Sequence, residues 1–131
     1  MKNLLFITFI AILLFTSCSK EDETIITAKI TWEDNSYFDL SENWKAAVYK
    51  EAFNFMKESD YSNSAIEVKN VAFKAATVQF IIQVKDYQNY TIVIFNDKNK
   101  NSKFDKGENY SYTYEVVEGG ENIDFPIEVM Y

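Results

Sequence analysis

Thr77-Val78-Gln79-Phe80-Ile81-Ile82-Gln83-Val84, then Lys85-Asp86-Tyr87, then Gln88-Asn89-Tyr90-Thr91-Ile92-Val93-Ile94-Phe95-Asn96, is the stretch on which the fold turns. Val78, Phe80, Ile82 and Val84 fall at every second position among mostly polar neighbours, which is the period of a strand with one wet face. Tyr90 to Phe95 is an apolar run rich in β-branched residues, the pattern of a strand in the middle of a sheet.

Outward from this pair the same period recurs. Ile26, Ala28, Ile30 and Trp32 alternate with Thr27, Lys29, Thr31 and Glu33, and Ile66-Glu67-Val68 with Val71-Ala72-Phe73 reads as a further strand. Near the end, Tyr110, Tyr112, Tyr114 and Val116 are answered across Glu118-Gly119-Gly120-Glu121 by Ile123, Phe125, Ile127 and Val129, which predicts a hairpin turning at the two glycines. The period also predicts that the three tyrosines face the core. Pro126 lacks a backbone donor, so the last strand is expected at a sheet edge or bulged there. Short strands at regular spacing predict an all-β fold, a small antiparallel sandwich of prealbumin-like or immunoglobulin-like type. One segment competes with this reading. Over Glu42 to Glu58, Trp44, Val48, Ala52 and Phe55 or Met56 fall near helical spacing, with Asp39 and Glu42 placed to cap, and the alternative is an α+β fold with one helix at about 42–58.

Composition narrows the chemistry. The chain has 131 residues, of which 47% are hydrophobic and 17% aromatic, so a packed core is within reach. Thirteen basic residues face twenty acidic ones; without Lys2 the balance is 12 against 20, a net charge of −8 that repels nucleic acid. No His and one Cys leave no imidazole base, no His-ligated metal and no intrachain disulfide, and no nucleophile motif appears, so an enzyme is not expected.

The N-terminus reads as an export signal. Met1-Lys2-Asn3 is a short cationic start, Leu4 to Phe15 is apolar apart from Thr8, and Thr16-Ser17-Cys18 follows. The run is well short of the roughly 20 residues that span a bilayer. The small-small-Cys ending resembles a bacterial lipobox, with Phe15 where Leu is usual. That resemblance implies a signal peptide over 1–17, cleavage before Cys18 and attachment of acyl chains (diacylglycerol, palmitate) to its thiol. Ser19-Lys20-Glu21-Asp22-Glu23 resembles the acidic tag of lipoproteins sent to the outer face of the outer membrane. The organisation expected is a leader over 1–17, a lipidated acidic tether over 18–24 and a single β-rich domain over 25–131.

Asp97-Lys98-Asn99-Lys100-Asn101-Ser102-Lys103-Phe104-Asp105-Lys106-Gly107-Glu108 carries the chemistry. With Asp97 at position 1 of a calcium loop, Asn99 and Asn101 take positions 3 and 5. Lys103 offers its carbonyl at 7, Asp105 stands at 9 and Glu108 at 12, so every oxygen-ligand position is filled. A hard cation needs several oxygens, and alternate side chains of a tight loop converge on its inside. Position 6 is Ser102 where the pattern wants Gly, so strain is expected there, and Lys98, Lys100, Lys103 and Lys106 offset the carboxylates. Phe104 is placed to pin the loop to the core. Flanking strands exclude a helix-loop-helix hand, leaving an EF-hand-like loop that braces a β-fold.

Ala47-Val48-Tyr49, Phe55-Met56-Lys57-Glu58, Ala76-Thr77-Val78-Gln79-Phe80 and Tyr87 to Asn101 together resemble an uncharacterised family of secreted bacterial β-sandwich domains. The hallmark of that family is a Gly-x-Tyr-Ala strand running into His-Asp-x-Asn-x-Asn-Gly-x-x-Asp. Asn89, Thr91, Asn96 and Ser102 stand where it has Gly, Ala, His and Gly, while Asp97, Asn99, Asn101 and Asp105 keep the pattern. The resemblance covers about residues 44 to 108 and implies a strand at Trp44 to Tyr49. Similar loops brace prealbumin-like modules of bacterial surface proteins with calcium, and neither likeness implies catalysis. The expectation is a non-enzymatic outer-membrane, surface-exposed lipoprotein, anchored through Cys18 and braced by a weak calcium site. The alternative is a glycan- or protein-binding module that uses exposed aromatics without metal, and exposure of Tyr110, Tyr112 and Tyr114 separates the two.

Overall fold

The computed structural model describes residues 21–33, 43–51, 65–72 and 74–130. They form seven strands and, among the described residues, no helix: β1 (Asp22–Glu33), β2 (Trp44–Lys50), β3 (Glu67–Asn70), β4 (Thr77–Val84), β5 (Gln88–Asn96), β6 (Tyr110–Val117) and β7 (Asn122–Met130). The leader with Cys18 and the 52–58 half of the candidate helix lie outside the described residues. Two sheets of order β4-β1-β7 and β3-β2-β5-β6 pack face to face as a small β-sandwich. The immunoglobulin order puts the first, second, fourth and fifth strands in one sheet; here β2 and β5 lie with β3 and β6, so the strand order is not the immunoglobulin one.

The alternation along each strand builds the interior. Ile26, Ala28 and Ile30 of β1, Phe80, Ile82 and Val84 of β4, and Phe125, Ile127 and Val129 of β7 meet Trp44, Ala46 and Val48 of β2, Tyr90, Ile92 and Ile94 of β5, and Val117 of β6. Each fully buried Phe, Ile or Val among them stabilises the fold by about 1.5–3 kcal/mol. Trp32 and Trp44 close one end, their rings 5.2 Å apart edge to face, with Trp32 Nε1 donating to the Ala75 carbonyl at 2.8 Å.

Two expectations are corrected and one open alternative is decided. Trp44–Lys50 is a strand, as the resemblance implied, and not the first half of a helix; it pairs antiparallel with β5 from Trp44↔Asn96 to Lys50↔Tyr90 and with β3 on its other side. Six of its seven residues are buried, because Ala47 and Tyr49 lie under a second apolar cluster on the outer face of the sheet. Burial on both faces erased the alternation that marks a strand. The hairpin at Gly119-Gly120 is an arch: β6 pairs with β5, whereas β7 crosses to the other sheet and pairs parallel with β1 from Ile25↔Asn122 to Glu33↔Met130. The sandwich is therefore antiparallel everywhere except at β1–β7.

Other expectations hold. β5 runs between β2 and β6 with seven consecutive buried residues, and β7, which carries Pro126, is an edge strand. β1 begins at Asp22, inside the stretch expected to be tether, with Asp22 to Thr24 opposite Val84 to Ile82.

Candidate functional site

β5 and β6 are joined at one end of the sandwich by the Asp97–Glu108 loop. Its base is closed by backbone hydrogen bonds from Asn96 N to the Asn109 carbonyl and from Asp97 N to the Asn43 carbonyl, both 2.9 Å. Asp97 is fully buried. Its Oδ1 accepts from Asn101 N at 3.0 Å, and its Oδ2 accepts from Ser102 N at 2.9 Å and from Asn43 Nδ2 at 3.2 Å. Asn99 Oδ1 accepts from Asn101 N at 3.1 Å, and Asn101 Oδ1 from Lys103 N at 2.7 Å. Positions 1, 3 and 5 thus all turn their oxygens inward over the following backbone, as their spacing predicts. Glu108 reaches back across the loop, Oε1 accepting from Lys98 N at 3.0 Å and Oε2 from Asp105 N at 2.9 Å, so that it stands beside the residue that follows Asp97. Asp105 Oδ2 accepts from Asn99 Nδ2 at 2.9 Å and Asn101 Nδ2 at 2.6 Å. Asn99, Asn101 and Asp105 are therefore joined side chain to side chain, while Asp97 and Glu108 are tied to them through the backbone N–H groups of Asn101 and Asp105, and Lys103 through its own N–H.

The backbone bends as a tight loop demands. Lys100 and Ser102 stand at φ +60° and +59°, with Gly107 at +92°. Strain at Ser102 is as expected; that at Lys100 is a second left-handed residue which spacing alone does not reveal. Phe104 pins the loop, its ring centroid 5.5 Å from Phe95 and 4.8 Å from Tyr110, in the outer-face cluster with Ala47, Tyr49 and Val93.

Gathering three carboxylates has electrostatic consequences. Burial pushes the Glu108 carboxyl up, the charges of Asp97 and Asp105 push it the same way, and the N–H groups of Asp105 and Lys98 oppose them. The amides of Asn99 and Asn101 hold Asp105 down, helped by Lys103. Tyr49, buried on the outer face, has its phenol pushed up to about 12 by burial and by the fields of Asp105 and Glu108. Asn43 and Tyr49 are partners of the site that the sequence reading missed, because both fall at or near a segment whose local pattern is helical.

The donor set suits a hard cation in kind: three carboxylates, two amide oxygens and a carbonyl. Asn99 Oδ1 and Asn101 Oδ1 each keep a second lone pair beyond the N–H they accept, as do the oxygens of Glu108. Among the described residues, no three Asp, Glu, His or Cys side chains are drawn together tightly enough to form a metal-holding group by themselves. Ion binding would therefore draw on the amide and carbonyl oxygens as well, and would release the two Asn N–H groups from Asp105.

The tyrosines of β6 correct a further expectation. Tyr110, Tyr112 and Tyr114 are 38%, 44% and 56% exposed, so the stripe faces solvent and not the core. Their register explains it. Tyr110 is opposite Phe95, Tyr112 opposite Val93 and Tyr114 opposite Thr91, all on the outer face of the four-stranded sheet, while Val117 turns inward. Period two marks one shared face but does not say which one. No family model, no curated protein and no solved structure matches the chain.

Proposed function

We propose that this chain is a non-enzymatic lipoprotein of the bacterial cell envelope, held in the outer membrane through acylated Cys18 and surface-exposed. Its β-sandwich is braced by calcium in the Asp97–Glu108 loop. The observation that carries the calcium reading is that Asp97, Asn99, Asn101, Asp105 and Glu108 all turn oxygens into one tight loop at the closed end of β5 and β6, with Asp97 and Glu108 buried. Confining like charges costs free energy that a cation would offset. Asp97, Asn99, Asn101, the Lys103 carbonyl, Asp105 and Glu108 would hold the ion, which supplies structural cross-linking and no chemistry. Strain at Ser102 and Lys100 and the four lysines support a weak site, with a dissociation constant expected in the extracellular range of about 0.1 to 1 mM. At about 0.1 mM affinity, calcium at about 1 mM stabilises the fold by about 1.4 kcal/mol. Calorimetry and melting of residues 19–131 check this: melting rises with calcium but not with magnesium, and the rise vanishes in Asp97→Ala and Glu108→Gln. No binding up to about 5 mM, in a range where extracellular modules bind, with an unmoved melting curve, sinks the calcium reading.

The exposure of Tyr110, Tyr112 and Tyr114 favours a second reading, compatible with the first, in which the outer face of β6 is a glycan- or protein-binding edge. Rings displayed in a row on a rigid strand offer stacking area at little cost in conformational entropy.

A further inference from the structure

The two ends of the sandwich differ in charge. Every basic residue of the chain is a lysine, and Lys98, Lys100, Lys103 and Lys106 lie within nine positions of the β5–β6 loop, all exposed. The acids of the same loop turn the other way: Asp97 and Glu108 are buried on backbone N–H groups, and Asp105 is bonded to the amides of Asn99 and Asn101. The loop thus keeps carboxylates inside and ammonium groups outside, on a chain of net charge −7. At the opposite end, where β1 begins and the β4–β5 and β6–β7 connections meet it, the exposed residues include Glu21, Asp22, Glu23, Asp86 and Glu121. The loop end also carries exposed Glu33 and Glu128, so it is the less acidic end of the molecule, and what an anionic partner meets there is the local row of exposed ammonium groups on the loop.

The aromatic stripe starts at that end. Phe104, in the loop, packs on Tyr110, and Tyr110 lies 6.3 Å from Tyr112, so the rings run from the loop down the outer face of edge strand β6 to Tyr114. Cations beside a row of tyrosines suit a polymer whose units carry both a flat face for stacking and an acid group for pairing. Nucleic acid meets part of that description, but the net charge and the absence of Arg weigh against it.

We propose that the β5–β6 loop and the outer face of β6 bind a polyanionic polysaccharide, with Lys98, Lys100, Lys103 and Lys106 pairing with its acid groups and Tyr112 and Tyr114 stacking on its sugar rings. This deepens the second reading above, that of a glycan-binding edge, and does not depend on calcium. The test is affinity electrophoresis of the chain in gels containing polygalacturonate, dextran sulfate or neutral dextran, each with calcium and with chelator. Poly(dT) and anionic phospholipid vesicles serve as competitors. Retardation by one or both acidic polymers is expected, weakening with salt. It should fall about tenfold or more when Lys98, Lys100 and Lys106 become Gln, and also in Tyr112→Ser/Tyr114→Ser, with the circular dichroism of each variant in chelator unchanged because all five side chains are exposed. Equal retardation by neutral dextran, lost with the tyrosines but not with the lysines, keeps the glycan-binding edge and overturns the acidic specificity. Lysine-dependent binding that ignores the tyrosines, or that poly(dT) or vesicles compete away fully, marks a nonspecific cation patch and overturns the proposal. No retardation by any polymer overturns both.

Discussion

Ser102 stands at φ +59° and donates its N–H to Asp97 Oδ2, so the backbone position is needed while the side chain that occupies it is strained. A left-handed non-glycine residue costs about 1–2 kcal/mol, and glycine gives back about 0.5–1 kcal/mol as entropy in the unfolded chain. Ser102→Gly should therefore stabilise the domain by about 0.5–1 kcal/mol and raise its melting temperature by a few degrees. Calcium affinity should tighten with it. Thermal melting and calorimetry decide; a lower melting temperature would contradict the assigned geometry. Tyr49 carries a second prediction. Its phenol titrates ordinarily near 10 and is held up to about 12 in the fold, so the neutral form is the one the fold accommodates. A raised folded-state pKa means that this contribution is complete below about pH 10 and is lost as pH climbs toward about 12. Alkaline unfolding followed by circular dichroism should fall within that window, and Tyr49→Phe should shift its midpoint upward. A midpoint that ignores the substitution would show that Tyr49 is not the group responsible.

At the scale of elements, β6 and β7 show how a correct local signal led to the wrong pairing. Glu118-Gly119-Gly120-Glu121 does turn the chain, with Gly120 at φ +87° and its N–H donated to Thr24 Oγ1 at 2.9 Å. The turn leads from one sheet to the other, and Val117 and Phe125, on either side of it, both belong to the interior from opposite sheets. A Cβ on Gly119 would sit 2.6 Å from the Val84 carbonyl oxygen, whereas at Gly107 nothing lies within 4 Å and only φ +92° opposes a side chain. Gly119→Ala should thus cost about 2–3 kcal/mol through backbone displacement at the arch, and Gly107→Ala only about 1–2 kcal/mol from strain. Urea unfolding of the pair measures the difference, and a smaller loss at Gly119 would rule out the arch. The helical signal at Trp44 to Tyr49 misled for a related reason, since two-sided burial in β2 leaves no period of two to read.

At the scale of the whole molecule, strand direction sets the proposed attachment against the proposed site. β1 starts at the acidic end, four positions after Cys18, and β5 carries the chain from that end to the loop over nine residues, or about 30 Å. An acyl chain on Cys18 would hold the acidic end near the membrane and present the lysines, the carboxylate loop and the head of the tyrosine stripe at the far tip. Cys18→Ala should leave the precursor uncleaved or release the protein from the membrane fraction. Unchanged acylation and fractionation in that variant would remove the anchor reading.

Local pattern was enough to establish the β-class, the central place of Tyr90–Phe95, the edge position of Pro126 and the inward turn of Asp97, Asn99 and Asn101. Each of these depends on side-chain period, on a missing donor or on bonds within a few residues. The pairing of β1 with β7, the arch at Gly119-Gly120, the choice of strand over helix that local pattern left open at Trp44–Lys50, the outward face of the tyrosines and the reach of Asn43 and Tyr49 to the loop were decided by tertiary structure. In every one of those cases the deciding partner lies far along the chain, and a period of two residues defines a face without saying what will cover it.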